Sequence, residues 1–195
     1  MAFRDLVDGI AEVNDEISVE HGMFDHSSAT SHAPVLFNSI TEAPGQRSAL
    51  NVLARDRLCS LFEVTPGELI DILAWAMANP SEPEIIDAHS AQVLENTQAS
   101  VDLNALPIPW HYREDRGRYQ SASIIIAEYD GVRNMSYHRQ FLRDTNHCVA
   151  RFVPRHLRTI TDKARANGDE VNIAVVNGAD ATVLLAAAMS FTCLF

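Results

Sequence analysis

Asp130-Gly131 lies between two β-rich runs, residues 121–129 and 132–142, and fixes how they must meet. An Asp-Gly pair takes the positive-φ positions of a tight turn at little cost, so the flanking runs fold back as antiparallel strands. Ile124-Ile-Ile126 is the apolar centre of the first strand. A third β-rich run covers 147–153. Pro154 then opens a helix predicted to stop at Asn167-Gly168, where glycine can take the left-handed exit. Residues 171–176 read as a buried strand. Asn177-Gly-Ala-Asp180 reads as a turn that caps a last helix over 181–189. The order β-β-β-α-β-α has too few strands to close a barrel alone. The end, Ser190-Phe-Thr-Cys-Leu-Phe195, is apolar where termini are usually polar, so the chain is expected to stop inside a fold.

The first half has a different pattern. Phe3, Leu6, Ile10 and Val13 recur at helical spacing and predict a helix over 3–13. Residues 20–32 carry His21, Asp25, His26 and His32, but at no metal-ligand spacing, and the composition is that of a solvated loop. Strands are expected over 33–40 and 49–53, and a short helix over 56–62. Thr65-Pro-Gly-Glu68 is a capping box with proline at the first helical position, and Leu69, Ile72, Leu73 and Met77 should supply the buried face. A further short helix is expected over 89–96. Leu106-Pro-Ile-Pro-Trp110 is stiff and extended, because proline fixes its own φ and restricts the residue before it. A domain boundary is placed there. Residues 1–105 then form an N-terminal α/β domain and 106–195 a second, β-rich one.

Composition excludes some function classes. A net charge of −11 argues against nucleic acid as a partner, since neutralising phosphates needs an excess of cations. No apolar run is long enough to span a membrane, and the first residues carry an acid and no apolar core of the secretory kind. A cytoplasmic protein is therefore expected. Cys59, Cys148 and Cys193 are widely spaced and read as reduced thiols.

The chemistry concentrates in Val132-Arg-Asn-Met-Ser-Tyr-His-Arg139 and Pro154-Arg-His156. The Asn134 amide oxygen and the His156 imidazole are ordinary divalent-metal ligands. The Arg139 guanidinium suits a two-point grip on a carboxylate or phosphate. Asn134 and Arg139 are five residues apart, so a regular strand would send them to opposite faces; they can meet in one site if the strand bends or bulges between them.

These segments, in this order, resemble the UbiD family of prenylated-FMN-dependent decarboxylases. Leu106-Pro-Ile-Pro with Tyr119 resembles the lead-in to the family's cofactor domain. Asn134 to Arg139 reads as its N-x-[GS]-x-x-R strand, and Pro154-Arg-His156 as the segment behind it. The resemblance is strongest over 104–190. It implies an α/β N-terminal domain followed by an incomplete split β-barrel of the flavin-reductase type. It also implies decarboxylation of aromatic or α,β-unsaturated acids. Arg139 would be catalytic. Ser136, Tyr137, His138, Arg139, Arg155 and Met189 would contact the prenylated FMN. Asn134 and His156 would bind Mn²⁺ or a similar ion, with K⁺ near the small-residue helix that ends at Met189. Family members are about twice as long, and their metal-binding Glu and catalytic acids come from segments beyond residue 195. Two readings follow. One is a split decarboxylase completed by a second polypeptide or by self-association into an oligomer. The other is a non-catalytic module that binds flavin or a partner.

Overall fold

The computed structural model describes residues 2–81 and 83–189. It is a mixed α/β structure with three small sheets, and among the described residues no sheet closes into a barrel. The first sheet joins β1 (Ala11–Val13), β2 (Val35–Phe37) and β3 (Ser48–Leu50), with β1 and β2 parallel and β2 and β3 antiparallel. All of β2 is buried, and Val35 and Phe37 pack with Val19, Met23 and Ile40.

The hairpin at Asp130-Gly131 forms as the dipeptide requires. Both residues have positive φ, 52° and 74°, and β5 (Ile124–Tyr129) pairs in register with β6 (Val132–Tyr137). On the other side of β5 lies β9 (Ile173–Val176), also antiparallel. The third sheet has the order β4 (Tyr119–Gln120), β7 (Gln140–Leu142), β8 (Cys148–Ala150). One face of the β6-β5-β9 sheet packs Ile124, Ile126, Met135, Tyr137 and Val176 against the helices α1 (Phe3–Val7), α3 (Arg55–Phe62) and α6 (Ala181–Ala188). The other face buries Ile125 and Ala127 under Leu157 of α5 (His156–Asn167). Elements from before and after residue 105 thus contribute to one core.

Several sequence expectations hold and several are corrected. The Thr65–Glu68 capping box forms at α4 (Pro66–Ala78), with both bonds present. Gly168 ends α5 in the left-handed conformation at φ 79°. The helix expected over 3–13 stops at Val7, because Gly9 at φ 67° turns the chain into β1. The His-rich stretch is not a loop: α2 spans Gly22–Ala29, held by burial of Met23 and Ser27 one turn apart rather than by its composition. In α4 only Leu69 is buried, and Ile72 and Met77 are 41% and 43% exposed, with Ile70 and Trp75 more so. The short helix over 89–96 is two 3₁₀ turns, Ala88–Ser90 and Gln92–Leu94. β9 is not buried, because α5 lies over β5 and β6 and leaves Ile173 and Val175 open at the sheet edge. Among the cysteines, Cys59 is buried and Cys148 half-buried, both free, while Cys193 and the apolar end lie outside the described residues.

Asp180 caps α6 by accepting from the Thr182 and Val183 amides at 2.7 and 3.2 Å. Asp180→Ala is expected to lower stability by about 1 kcal/mol, the usual size of a lost N-cap. The check is the urea midpoint; an unchanged midpoint would show that α6 is set by packing alone.

Candidate functional site

Strand parity decides what β6 presents. Asn134 lies opposite Ala127 and Ser136 opposite Ile125, so both point to the sheet face covered by α5. Met135 and Tyr137 alternate to the other core. His138 has the same parity as Asn134 and Ser136, and the three side chains form a chain of hydrogen bonds. The Ser136 hydroxyl donates to Asn134 Oδ1 at 2.9 Å and lies 3.0 Å from His138 Nε2. A hydroxyl has one proton. Once it goes to the amide oxygen, which only accepts, the bond to His138 must be donated by Nε2–H. The His138 ring meets Phe152 edge-on at 5.0 Å.

Arg139 has the wrong parity for this face, and the backbone resolves the conflict. Residues 132–142 are not one strand. β6 ends at Tyr137 in one sheet and β7 begins at Gln140 in another, and the switch occurs at His138-Arg139. Buried Gln140 anchors the departure by donating to the Ser123 hydroxyl at 2.8 Å. The bend that the five-residue spacing demanded is therefore a change of sheet.

Helix α5 closes the other wall. Arg155 is its N-cap residue, has no side-chain cap bond, and no acid sits in the first turn. The first amides of the helix thus remain free and its positive end is uncompensated, a preferred place for an anion. The Tyr137 hydroxyl donates to the Leu184 carbonyl at 3.0 Å and ties α6 to β6, which brings Met189 to the rim. The result is one cleft of about 500 Å³. Asn134, Ser136, Tyr137, His138, Arg139, Arg155, His156 and Met189 all line it. The structure thus brings together the eight residues that the family resemblance assigns to the site.

It adds Arg151, which sequence reading missed. The available signal was its place four residues before Arg155, just ahead of the Pro154-Arg-His156 segment that the resemblance marked. Three guanidiniums and two imidazoles line the cleft, and among the described residues no Asp or Glu does. Arg139, Arg151 and Arg155 have no carboxylate partner among the described residues, whereas Arg133, Arg143, Arg158 and Arg165 are paired. In a chain of net charge −11 this is a local reversal of sign.

The fit to a metal is incomplete in this chain. Among the described residues no group of three His, Cys, Asp or Glu side chains could hold an ion. Asn134 and His156 supply two donors at most, and the Asn134 oxygen already accepts one bond. The same result removes His21, Asp25, His26 and His32 as a metal site. No helix among the described residues is long and apolar enough to cross a membrane.

Burial pushes the His138 imidazole below its ordinary pKa. Its neutral form is then favoured by the fold. The associated stability is complete above the unfolded value of about 6.5 and is lost as pH falls through the lower folded value. Imidazole ¹⁵N spectra are expected to show the Nε2–H tautomer and a midpoint below that of free histidine. An Nδ1–H tautomer, or a midpoint at or above the free value, would contradict the hydrogen-bond chain.

Comparison with known proteins places this fold in a class. An evolved dimeric form of the UbiD-class enzyme HmfF from Pelotomaculum thermopropionicum, in complex with prFMN, superposes with a TM-score of 0.83 at 24% identity. The match covers 91% of this chain and 44% of that one. Vanillic acid decarboxylase from Sedimentibacter hydroxybenzoicus in its closed form gives a TM-score of 0.86 at 16% identity, over 96% and 44%. At these identities the likeness establishes the fold, that of the UbiD-class flavin enzymes. A family model described as the UbiD 3-octaprenyl-4-hydroxybenzoate carboxy-lyase Rift-related domain matches residues 84–193. The chain belongs to the UbiD family. Anhydromevalonate phosphate decarboxylase of Methanosarcina mazei is 31% identical over 193 residues, 95% of this chain and 44% of the relative. The Aeropyrum pernix protein of the same name is 42% identical over 151 residues, 76% and 33%. The chain spans less than half the length of these curated relatives.

Proposed function

We propose that this chain is the N-terminal part or subunit of a UbiD-type carboxy-lyase that binds prenylated FMN in the cleft between β6 and α5. Residues 1–105 form its α/β unit, and 106–195 the first part of a split barrel. One observation carries the reading: three unpaired guanidiniums, two imidazoles and a free helix N-terminus converge where no carboxylate intrudes. Such a pocket suits two anions at once, a flavin phosphate and a substrate carboxylate.

When bound, prenylated FMN supplies the ring that takes up charge as carbon dioxide leaves. The protein groups do the rest. Arg139 holds the substrate carboxylate by two N–H bonds. Arg151, Arg155 and the first amides of α5 hold the flavin phosphate. Ser136, Tyr137, His138 and Met189 shape the wall beside the ring. Asn134 and His156 would give two ligands to a Mn²⁺-like ion beside the phosphate, and Met189 would mark the place of a K⁺. Replacing carboxylate by hydrogen needs one proton delivered to carbon. With no acid in the cleft among the described residues, that proton and the remaining metal ligand would be supplied from outside them, as a second polypeptide or another copy could do. One Sedimentibacter vanillic acid decarboxylase structure holds truncated ShVdcD beside its longer matched chain, which supports a partner chain for an enzyme of this fold. The exposed apolar residues of α4 and β9 are the surfaces available for assembly. Aromatic and α,β-unsaturated acids both fit the chemistry. The named relatives favour an acid that also carries a phosphate. The missing acid also supports a second reading, a non-catalytic module that binds flavin or a partner.

Co-expression with a flavin prenyltransferase and the chain that supplies the missing part separates the two. Decarboxylation in the mixture, and none with either chain alone, is the expected result. A cofactor-loaded mixture that releases no carbon dioxide from any of these acid classes would leave the module.

A further inference from the structure

The segment that leads into the second half of the chain is strapped onto the first half by rings. Trp110 forms a parallel bridge with Glu20, its amide donating to the Val19 carbonyl at 2.8 Å and its carbonyl accepting from the His21 amide at 3.2 Å. The side chains continue the contact. The Trp110 and His21 rings are 5.0 Å apart. The half-buried His111 ring meets Phe24 of α2 edge-on at 5.9 Å, and Tyr112 reaches the same Phe24 at 4.6 Å. Just upstream the chain is pinned, because the Arg118 guanidinium donates to the Ile108 and Asn104 carbonyls at 2.9 and 3.2 Å. The polar edges of the strap are less well served. His21 Nδ1 and Trp110 Nε1 are both buried and find no hydrogen-bond partner among the described residues.

We propose that residues 110–112 are an acid-released catch, closed on α2 while His21 and His111 are neutral and opened when they take protons. Two costs of protonation act together. An imidazolium at 111 would have to give up water to stay against Phe24, and burial already pushes that ring below its ordinary pKa, against the opposing pull of Asp115. At His21 a bare Nδ1 and the indole N–H are an acceptor and a donor that one shared water can satisfy, whereas an imidazolium puts a second buried donor into the same ring pair. The other charged and titratable groups on the two segments are engaged or exposed. Asp115 accepts from the Tyr112 amide at 3.4 Å, Asp25 pairs with Arg113 at 3.5 Å, and His32 Nδ1 lies 3.2 Å from the Ser27 hydroxyl. His26 packs on Phe37, and Glu20 and Glu114 are exposed. The closed state has the lower midpoint, so closure is complete above the open-state value of about 6.5 and is lost as pH falls through the lower one. Arg118 keeps its charge throughout, so the residues it pins form a fixed base and opening begins at Trp110. None of these residues lines the cleft between β6 and α5, so the catch is independent of the proposed function.

The test follows hydrogen exchange of the chain by NMR from about pH 7.5 to about pH 5, with protection taken against the intrinsic rate at each pH. The amides of Trp110 and His21 are expected to lose protection by about three- to thirtyfold, tenfold for each unit between the open and closed midpoints, and by more than Ile125 of β5 loses. In the double variant His111→Phe, His21→Asn this excess loss should vanish, because neither replacement takes a proton and asparagine tolerates the left-handed backbone at 21 (φ 66°). Protection at Trp110 that stays level in the wild type, that falls only in step with Ile125, or that still falls in excess in the double variant overturns the catch. If the double variant fails to fold, the wild-type imidazole spectra decide. A His111 midpoint below the free-histidine value of about 6.5 supports the catch, and one at or above it overturns it.

Discussion

Arg139→Ala is expected to lower kcat/KM of the reconstituted decarboxylase by about a hundredfold or more, with Arg139→Lys recovering only a small part. On the proposed function the cleft offers a substrate carboxylate a guanidinium with no acid beside it among the described residues. Removing one member of a hydrogen-bonded charge pair that becomes buried on binding costs roughly 2–5 kcal/mol, largely because the other charge is stranded. Lysine restores the charge as a point and loses the two-point geometry. Carbon dioxide release under kcat/KM conditions measures the effect. A loss below about threefold would mean that Arg139 only lines the pocket and that another cation takes the carboxylate.

The second large effect is on stability and is local to the same cleft. Leu157 is 2% exposed, follows His156 directly, and packs on Ile125 and Ala127. Leu157→Ala is expected to destabilise the chain by about 2–5 kcal/mol through lost burial and the cavity left under α5. Because that contact seats the first turn of α5, His156 and the free amides should lose their placement as well. Urea unfolding gives the first number, and FMN affinity measured well below the unfolding midpoint gives the second. A shift under about 1 kcal/mol would show that α5 is held by Ile160 and Ala164 instead.

The parts of this structure that were legible in the sequence are those where local chemistry and tertiary packing agree. Asp130-Gly131 can hardly do anything but turn, Gly168 ends a helix, and Thr65 and Asp180 begin helices, and each does so here. Asn134, Arg139 and His156 drew attention through their chemical types and the other proposed site residues through the family resemblance, and all of them line one cleft. What was not legible depends on contacts between distant segments. The Asn134–Arg139 spacing asks for a bend in residues 132–142 but does not say that it is a change of sheet, which is set by the pairing of Gln140 with Ala150 and by the Gln140–Ser123 bond. The helix α2 forms in a polar stretch, with His21 at φ 66° and no side-chain cap at its start, since Met23 is needed in the core beside Phe37. β9 reads as buried because its residues are apolar, but apolarity states a demand for cover, not its presence. Arg151 escaped because a lone arginine after a strand is ordinarily a surface charge, and only the fold turns it toward Arg155.

A flavin phosphate held in the cleft between β6 and α5, as proposed, can be sought without any second polypeptide by titrating the ¹⁵N-labelled chain with FMN. Saturable shifts are expected, shared by Asn134, Ser136, Arg139, Arg151, Arg155 and His156, with the largest at the first amides of α5. Shifts confined to other surfaces, or none up to millimolar FMN, would contradict it.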